Sequence, residues 1–170
     1  NNGKKYSIED KIFIKNNNFH EIKAIELNYS ELSDNVIRVI KGTNFDYFST
    51  EAKKKFFNRE FSVTKLVDRM GIRLSGHKLE NIISTNIKSE GLIKGVVQVP
   101  ADGDPIIMLS DHGTIGGYPK IGVVISADLD RVGQLTPGST INFKEVSLEE
   151  AQNIFKAYTD DTNKYLNANN

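Results

Sequence analysis

The chain has 170 residues, and its 22 Lys plus Arg balance 22 Asp plus Glu for a formal net charge of zero; that argues against nucleic acid as a main partner, because phosphate binding draws on a cationic excess. A hydrophobic fraction of 38% and a charged fraction of 26% indicate one globular domain with an appended arm and exclude global disorder. Cysteine is absent, which excludes disulfides, a thiolate nucleophile and thiolate-bound metal, and no apolar run approaches membrane-spanning length.

The start, Asn1-Asn2-Gly3-Lys4-Lys5, lacks the apolar segment of a signal peptide, so a cytoplasmic protein is expected. Beginning without Met in a polar stretch also fits a fragment or an engineered boundary. Residues 1–20, broken by Asn16-Asn17-Asn18, read as a linker or strand remnant, and residues 21–29 as a strand of imperfect period around Ile22, Ile25 and Leu27. Residues 1–34 are therefore expected to be an N-terminal arm, or the remnant of a missing half, with residues 35–170 as the domain. Val36-Ile37-Arg38-Val39-Ile40, ending at Gly42, is a β-branched strand. Ser49 or Thr50 caps a short helix through Phe57. Residues 61–67 alternate, residues 72–75 follow a glycine, and residues 92–99 form the strongest strand, closed by Pro100. Ala101-Asp102-Gly103-Asp104 is a turn from which residues 105–110 return.

Residues 120–125 form another apolar strand, Ser126 caps a short helical turn over 127–134, and residues 140–144 form a last strand after the Pro137-Gly138 turn. Ser147-Leu148-Glu149-Glu150 is a capping box opening a C-terminal helix with Leu148, Ala151, Ile154, Phe155 and Tyr158 on one face. Many short strands with turn residues between them predict a mainly β chain: a closed or nearly closed barrel with a few short helices.

Chemistry concentrates in residues 111–120, Asp-His-Gly-Thr-Ile-Gly-Gly-Tyr-Pro-Lys. Three glycines let the backbone turn tightly and expose N–H groups, a geometry suited to carboxylate or phosphate. Asp111 and His112 form a candidate acid/base pair, and Lys120 is a cation at the loop's exit. The plainer alternative is a glycine-rich connection in which Asp111 bonds the turn and Tyr118 packs. Arg73, between Ile72 and Leu74, faces either the lumen, paired with a substrate carboxylate or Glu90, or the wet outside. Gln98, in an apolar strand, either ties neighbouring strands or contacts a ligand. His20 and His77 have no second ligand at metal spacing, so no metal site is expected.

These segments stand in a fixed order: Asp68-Arg69-Met70-Gly71-Ile72-Arg73-Leu74; Ser89-Glu90-Gly91; Gly95, Gln98 and Pro100; Gly103 and Pro105; Asp111, Thr114, Gly116-Gly117-Tyr118-Pro119-Lys120; Ser126-Ala127-Asp128-Leu129; Gln134-Leu135; and residues 137–143, with Arg38-Val39-Ile40, Gly42, Asp46 and Phe48 upstream. Over roughly residues 35–155 the set resembles the allophanate hydrolase subunit 2 family. That group includes the C subunit of bacterial 5-oxoprolinase and part of the carboxyltransferase region of urea carboxylase. The resemblance implies a cyclophilin-like β-barrel. It also implies membership of a complex with the 5-oxoprolinase A and B subunits, the latter a second cyclophilin-like protein. That complex opens the lactam of 5-oxoproline to glutamate at the expense of ATP. The nucleotide is bound by the complex and not necessarily by this chain. With the substrate a small molecule, the family positions imply Asp111, His112 and Lys120 as catalytic, and Arg73, Gln98, Thr114, Gly116, Gly117 and Tyr118 as substrate-binding. The family's Gln or His-Pro arrangement before the loop threonine is here His112-Gly113. Its N-terminal half is missing, so the chain alone is expected to be inactive.

Two alternatives stand beside this one. The first is a carboxyltransferase component of a biotin-dependent, urea carboxylase-like enzyme; neither Met70 nor Met108 has the neighbouring Lys of a biotin carrier, which a partner would bring. The second is a non-catalytic regulatory binding module. Prolyl isomerase activity by virtue of the fold is rejected, since fold does not carry function.

Overall fold

The computed structural model describes residues 35–83 and 86–167; the linker and strand expected within residues 1–34 lie outside the described residues. Alternation along each strand sets the barrel wall. β1 (Val36–Lys41) turns Ile37 and Val39 inward, β2 (Glu60–Val67) Phe61 and Val63, and β3 (Gly71–Ser75) Ile72 and Leu74. β5 (Val96–Gln98), β6 (Ile106–Met108), β8 (Lys120–Val124) and β9 (Thr140–Glu145) add Val97, Ile107, Ile121, Val124, Ile141 and Phe143 to the same core. The strands close in the order β1-β8-β5-β6-β3-β2-β9. The closing pair, β9 with β1, is parallel, with Ile37 opposite Phe143; the other pairings in the barrel are antiparallel. The closed barrel expected from the strand pattern is therefore present, and among the described residues its interior is filled by packed apolar side chains.

Outside the wall, β4 (Glu90–Gly91) and β7 (Ile115–Gly116) form a separate two-stranded ribbon, Glu90 opposite Gly116 and Gly91 opposite Ile115. The strand expected over 92–99 is therefore shorter: only β5, Val96–Gln98, is strand, and 92–95 connect it to β4. Gly95, at φ +88°, breaks the expected strand where a side chain would also meet Leu129 at 2.9 Å.

α1 (Thr50–Asn58) is capped by Ser49, whose hydroxyl accepts from the Ala52 amide at 3.0 Å. It inserts Phe56 into the core, stacked on Phe143 with ring centroids 4.4 Å apart. Between β8 and β9 the expected helical turn is a 3-10 turn (Ser126–Asp128) followed by α2 (Leu129–Val132). Ser126 makes no cap there. The turn is held instead by Asp128, whose fully buried carboxylate accepts from the Arg38 backbone amide at 2.7 Å and from its guanidinium at 2.5 and 3.0 Å.

α3 (Leu148–Asn167) opens with the expected capping box: the Glu150 amide donates to Ser147 Oγ at 3.1 Å, and the Ser147 amide donates to Glu150 Oε2 at 2.7 Å. Its apolar face is only partly used. Ala151 and Ile154 pack on Ile125, Ala127 and Val146, while Leu148, Phe155 and Tyr158 stay exposed. Tyr158 is held by its hydroxyl, which donates to Asp130 at 2.6 Å. Among the described residues, no helix is long and apolar enough to cross a membrane.

Candidate carboxylate site on the outer barrel wall

Lys120 begins β8, and strict alternation would place it on the inward face with Gly122 and Val124. The pairing with β5 slips at that point: Val97 lies opposite Gly122, but Gln98 lies opposite Lys120. One extra residue in β8 turns Lys120 to the other face, because a shift of one residue reverses every side chain's side. Val97 and Val99 belong to the core, so Gln98 between them faces outward, and Lys120, directly opposite, shares that face.

The ribbon covers this outward pair. The Leu92 amide donates to the Thr114 carbonyl at 2.9 Å, so two residues along, Glu90 and Gly116 are again a hydrogen-bonded pair, and the Gly116 amide is directed at the Glu90 carbonyl. Glu90, Leu92 and Gly116 share the face turned to the wall. A Cβ on Gly116 would stand 2.7 Å from Gln98 Nε2 and 2.8 Å from Leu92 Cδ1, so glycine here permits close approach. Gln98 Nε2 donates to the Tyr118 carbonyl at 3.2 Å, the Val99 amide to the Pro119 carbonyl at 2.9 Å, and the Ile87 amide to the Gly117 carbonyl at 2.9 Å.

Under this cover the Lys120 ammonium lies 2.7 Å from Glu90 Oε2, with its side chain 5% exposed and that of Glu90 44%. Buried Asn44 joins them. Its Oδ1 accepts from the Lys120 backbone amide at 3.1 Å, and its backbone amide donates to the Lys120 carbonyl at 3.3 Å. The Lys120 hydrogen bond and charge, with a hydrogen bond from the Asn44 side chain, hold the Glu90 carboxyl below the usual carboxylate range against the opposing effect of burial. Gly42 makes this fit possible, because a Cβ there would lie 2.3 Å from the Lys120 carbonyl oxygen.

Of the residues singled out in the sequence, the structure gathers Lys120, Gln98, Gly116, Gly117 and Tyr118. Thr114 contributes its backbone to the ribbon, with its side chain exposed. Arg73 takes the second of its two expected positions, on the outer wall between inward Ile72 and Leu74, ion-paired with Asp102 and 3.9 Å from Asp104 in the β5–β6 turn, and Glu90 pairs with Lys120. Asp111 pairs with Arg69 at 2.8 Å. His112 Nδ1 is 2.6 Å from the Gly113 carbonyl, which can only accept; Nδ1 therefore carries the proton, and in the neutral ring Nε2 is the acceptor. Asn44 was not foreseen. A polar residue after a strand-ending glycine gives no signal until β1 and β8 are paired.

Two concavities lie elsewhere. One of about 310 Å³ is lined by Val67, Asp68, Arg69, Lys94 and Ser110 among others, and one of about 480 Å³ by Val36, Phe57 and Asn142 among others. Neither includes Lys120 or Glu90, where a buried ammonium paired with a half-exposed carboxylate makes the stronger case for a ligand position. Among the described residues no His, Asp and Glu cluster could hold a metal ion.

Comparison with known proteins agrees with this fold. The profile of the family described as "Carboxyltransferase domain, subdomain A and B" matches residues 1–145. The chain is 38% identical over 117 residues to the C subunit of 5-oxoprolinase from Escherichia coli (strain K12), covering 69% of this chain and 38% of that protein. It is 40% identical over 119 residues to the corresponding 5-oxoprolinase protein of Haemophilus influenzae, covering 70% and 38%. The crystal structure of the K. lactis urea amidolyase superposes with a TM-score of 0.71 at 29% identity, over 75% of this chain and 8% of that one. The chain thus spans well under half the length of the curated relatives it matches, and it belongs to the carboxyltransferase domain family, subdomains A and B.

Proposed function

We propose that this chain is part of the C subunit of an ATP-dependent 5-oxoprolinase complex that opens 5-oxoproline to glutamate. The observation that carries the reading is the Lys120–Asn44–Glu90 cluster on the outer wall, in a chain 38–40% identical to the C subunits of two bacterial 5-oxoprolinases. A buried ammonium beside a fixed amide suits a substrate's carboxylate, and 5-oxoproline carries one. Gln98 and the Gly116-Gly117 turn form the wall of that position, with Tyr118 at its edge. His112, with Nδ1 committed to the Gly113 carbonyl, has Nε2 to accept or carry a proton. Asp111, neutralised by Arg69, is better suited to holding the loop than to proton transfer.

The described part of the glycine loop does not fit a nucleotide's phosphates. The Gly116 amide is directed at the Glu90 carbonyl and no Lys-Ser ending follows, so ATP is assigned to other parts of the complex, with the 5-oxoprolinase A and B subunits as the partners. The test is ATP- and 5-oxoproline-dependent glutamate release by a reconstituted complex, with and without the protein containing this chain. Release only in its presence is the expected result.

The likeness to urea amidolyase supports a second reading, a carboxyltransferase component working with biotin. Avidin separates the two: it leaves the oxoprolinase untouched and stops a biotin-dependent enzyme.

A further inference from the structure

The geometry points to Glu90 as an internal stand-in for the ligand: its carboxylate occupies the position at Lys120 and Asn44 that a small carboxylate takes on binding, by exchange with Glu90. This deepens the proposed function and rests on its reading of Lys120 as the ligand-holding cation.

Both donors are built into the wall. Lys120 and Asn44 are 4% and 3% exposed, so neither can keep a water shell, and an ammonium so buried requires an anion. Asn44 Oδ1 is committed to the Lys120 amide, which fixes the remaining NH2 as a donor; the pocket thus presents one ammonium and one amide, a pair of donors for the two oxygens of a planar carboxylate. Glu90 Oε2 now takes the ammonium at 2.7 Å, and the Asn44 side chain adds to the lowering of its pKa. It is the exposed member, its side chain 44% accessible, so a dissolved carboxylate has an open route to the same donors. It also belongs to the more easily displaced side of the contact. Lys120 is in the closed barrel, whereas Glu90 is in a two-residue strand of a two-stranded ribbon outside it, and such ribbons are marginally stable on their own. Glu90 can withdraw without opening a barrel pairing.

The test uses the full chain and its Glu90→Ala variant in thermal unfolding, titrated with formate or 5-oxoproline against chloride at matched ionic strength. Glu90→Ala is expected to melt below the wild type and to regain stability saturably with formate. Half-saturation should fall at a concentration at least about tenfold lower than in the wild type, where Glu90 competes. The response should vanish in Glu90→Ala/Lys120→Met. Formate acting no better than chloride, or equally well without Lys120, overturns the exchange. If Glu90→Ala does not fold, the wild type decides by carboxyl NMR. Saturating formate should return the depressed Glu90 titration toward the ordinary carboxylate range, and an unmoved titration overturns the proposal. Rescue by formate but not by 5-oxoproline supports the exchange while removing 5-oxoproline as its ligand, which counts against the oxoprolinase reading alone.

Discussion

At the scale of single residues, the Glu90–Lys120 contact has a testable acid signature. The folded-state pKa of Glu90 is depressed below its ordinary value of 4.5, so the contact's contribution to stability is fully present above that value and is lost as pH falls through the lower folded-state value. Thermal unfolding of the wild type and Glu90→Gln should differ at neutral pH and converge on acidification below the carboxylate range. A gap that stays constant into acid contradicts this assignment. The depressed Glu150 carboxyl of the α3 capping box titrates with the same sign, but it is common to both proteins and cancels. Because the Glu90 side chain is half-exposed, added salt should also shrink the gap. The sequence disclosed Lys120, Gln98 and the glycines as a group, because they crowd one loop and one strand. Asn44 and the true partner of Glu90 depend on pairings between segments far apart in the chain, about which local composition is silent.

At the scale of elements, two close contacts set where the site stands. Asp128 fastens the β8–α2 turn to β1 through Arg38, and its loss leaves a largely covered guanidinium without its carboxylate. Asp128→Ala should cost about 3 kcal/mol in chemical denaturation, and a cost near zero would show the pair to be dispensable. Gly42→Ala drives a methyl into the Lys120 carbonyl and should cost about 2 kcal/mol while displacing Lys120. Loss of the Glu90 pKa depression in that variant would confirm the displacement. Strands β1, β2, β3 and β9 were legible because one face of each is apolar and the period is two, and β8 as a short apolar run. The break at Gly95 was hidden inside an apolar run, since periodicity cannot show where a backbone must turn to positive φ. The bulge in β8 was equally hidden, yet it decides whether Lys120 lies inside or outside the barrel. The apolar face expected of α3 is only partly buried: Ala151 and Ile154 pack, while Leu148, Phe155 and Tyr158 stay exposed.

At the scale of the whole molecule, the barrel is filled by its own side chains, and the proposed site lies on its outer wall under a two-stranded cover. That arrangement leaves Ile115 on the ribbon 65% exposed and Tyr118 40% exposed, apolar surface close to the buried charges. The match spans 38% of the length of the two 5-oxoprolinase C subunits compared, so the proposed activity is to be tested on the whole complex. The fold class was legible from strand count and turn spacing, whereas the outward placement of the site followed only from the register of β5 on β8. The most direct measurement is glutamate release by the reconstituted complex carrying either Lys120→Met or Asp111→Asn. Lys120→Met is expected to lose on the order of 100-fold or more, with its melting temperature within a few degrees of the wild type, and Asp111→Asn only a few-fold. Undiminished turnover in folded Lys120→Met would contradict the assignment of Lys120 as the cation that holds the substrate.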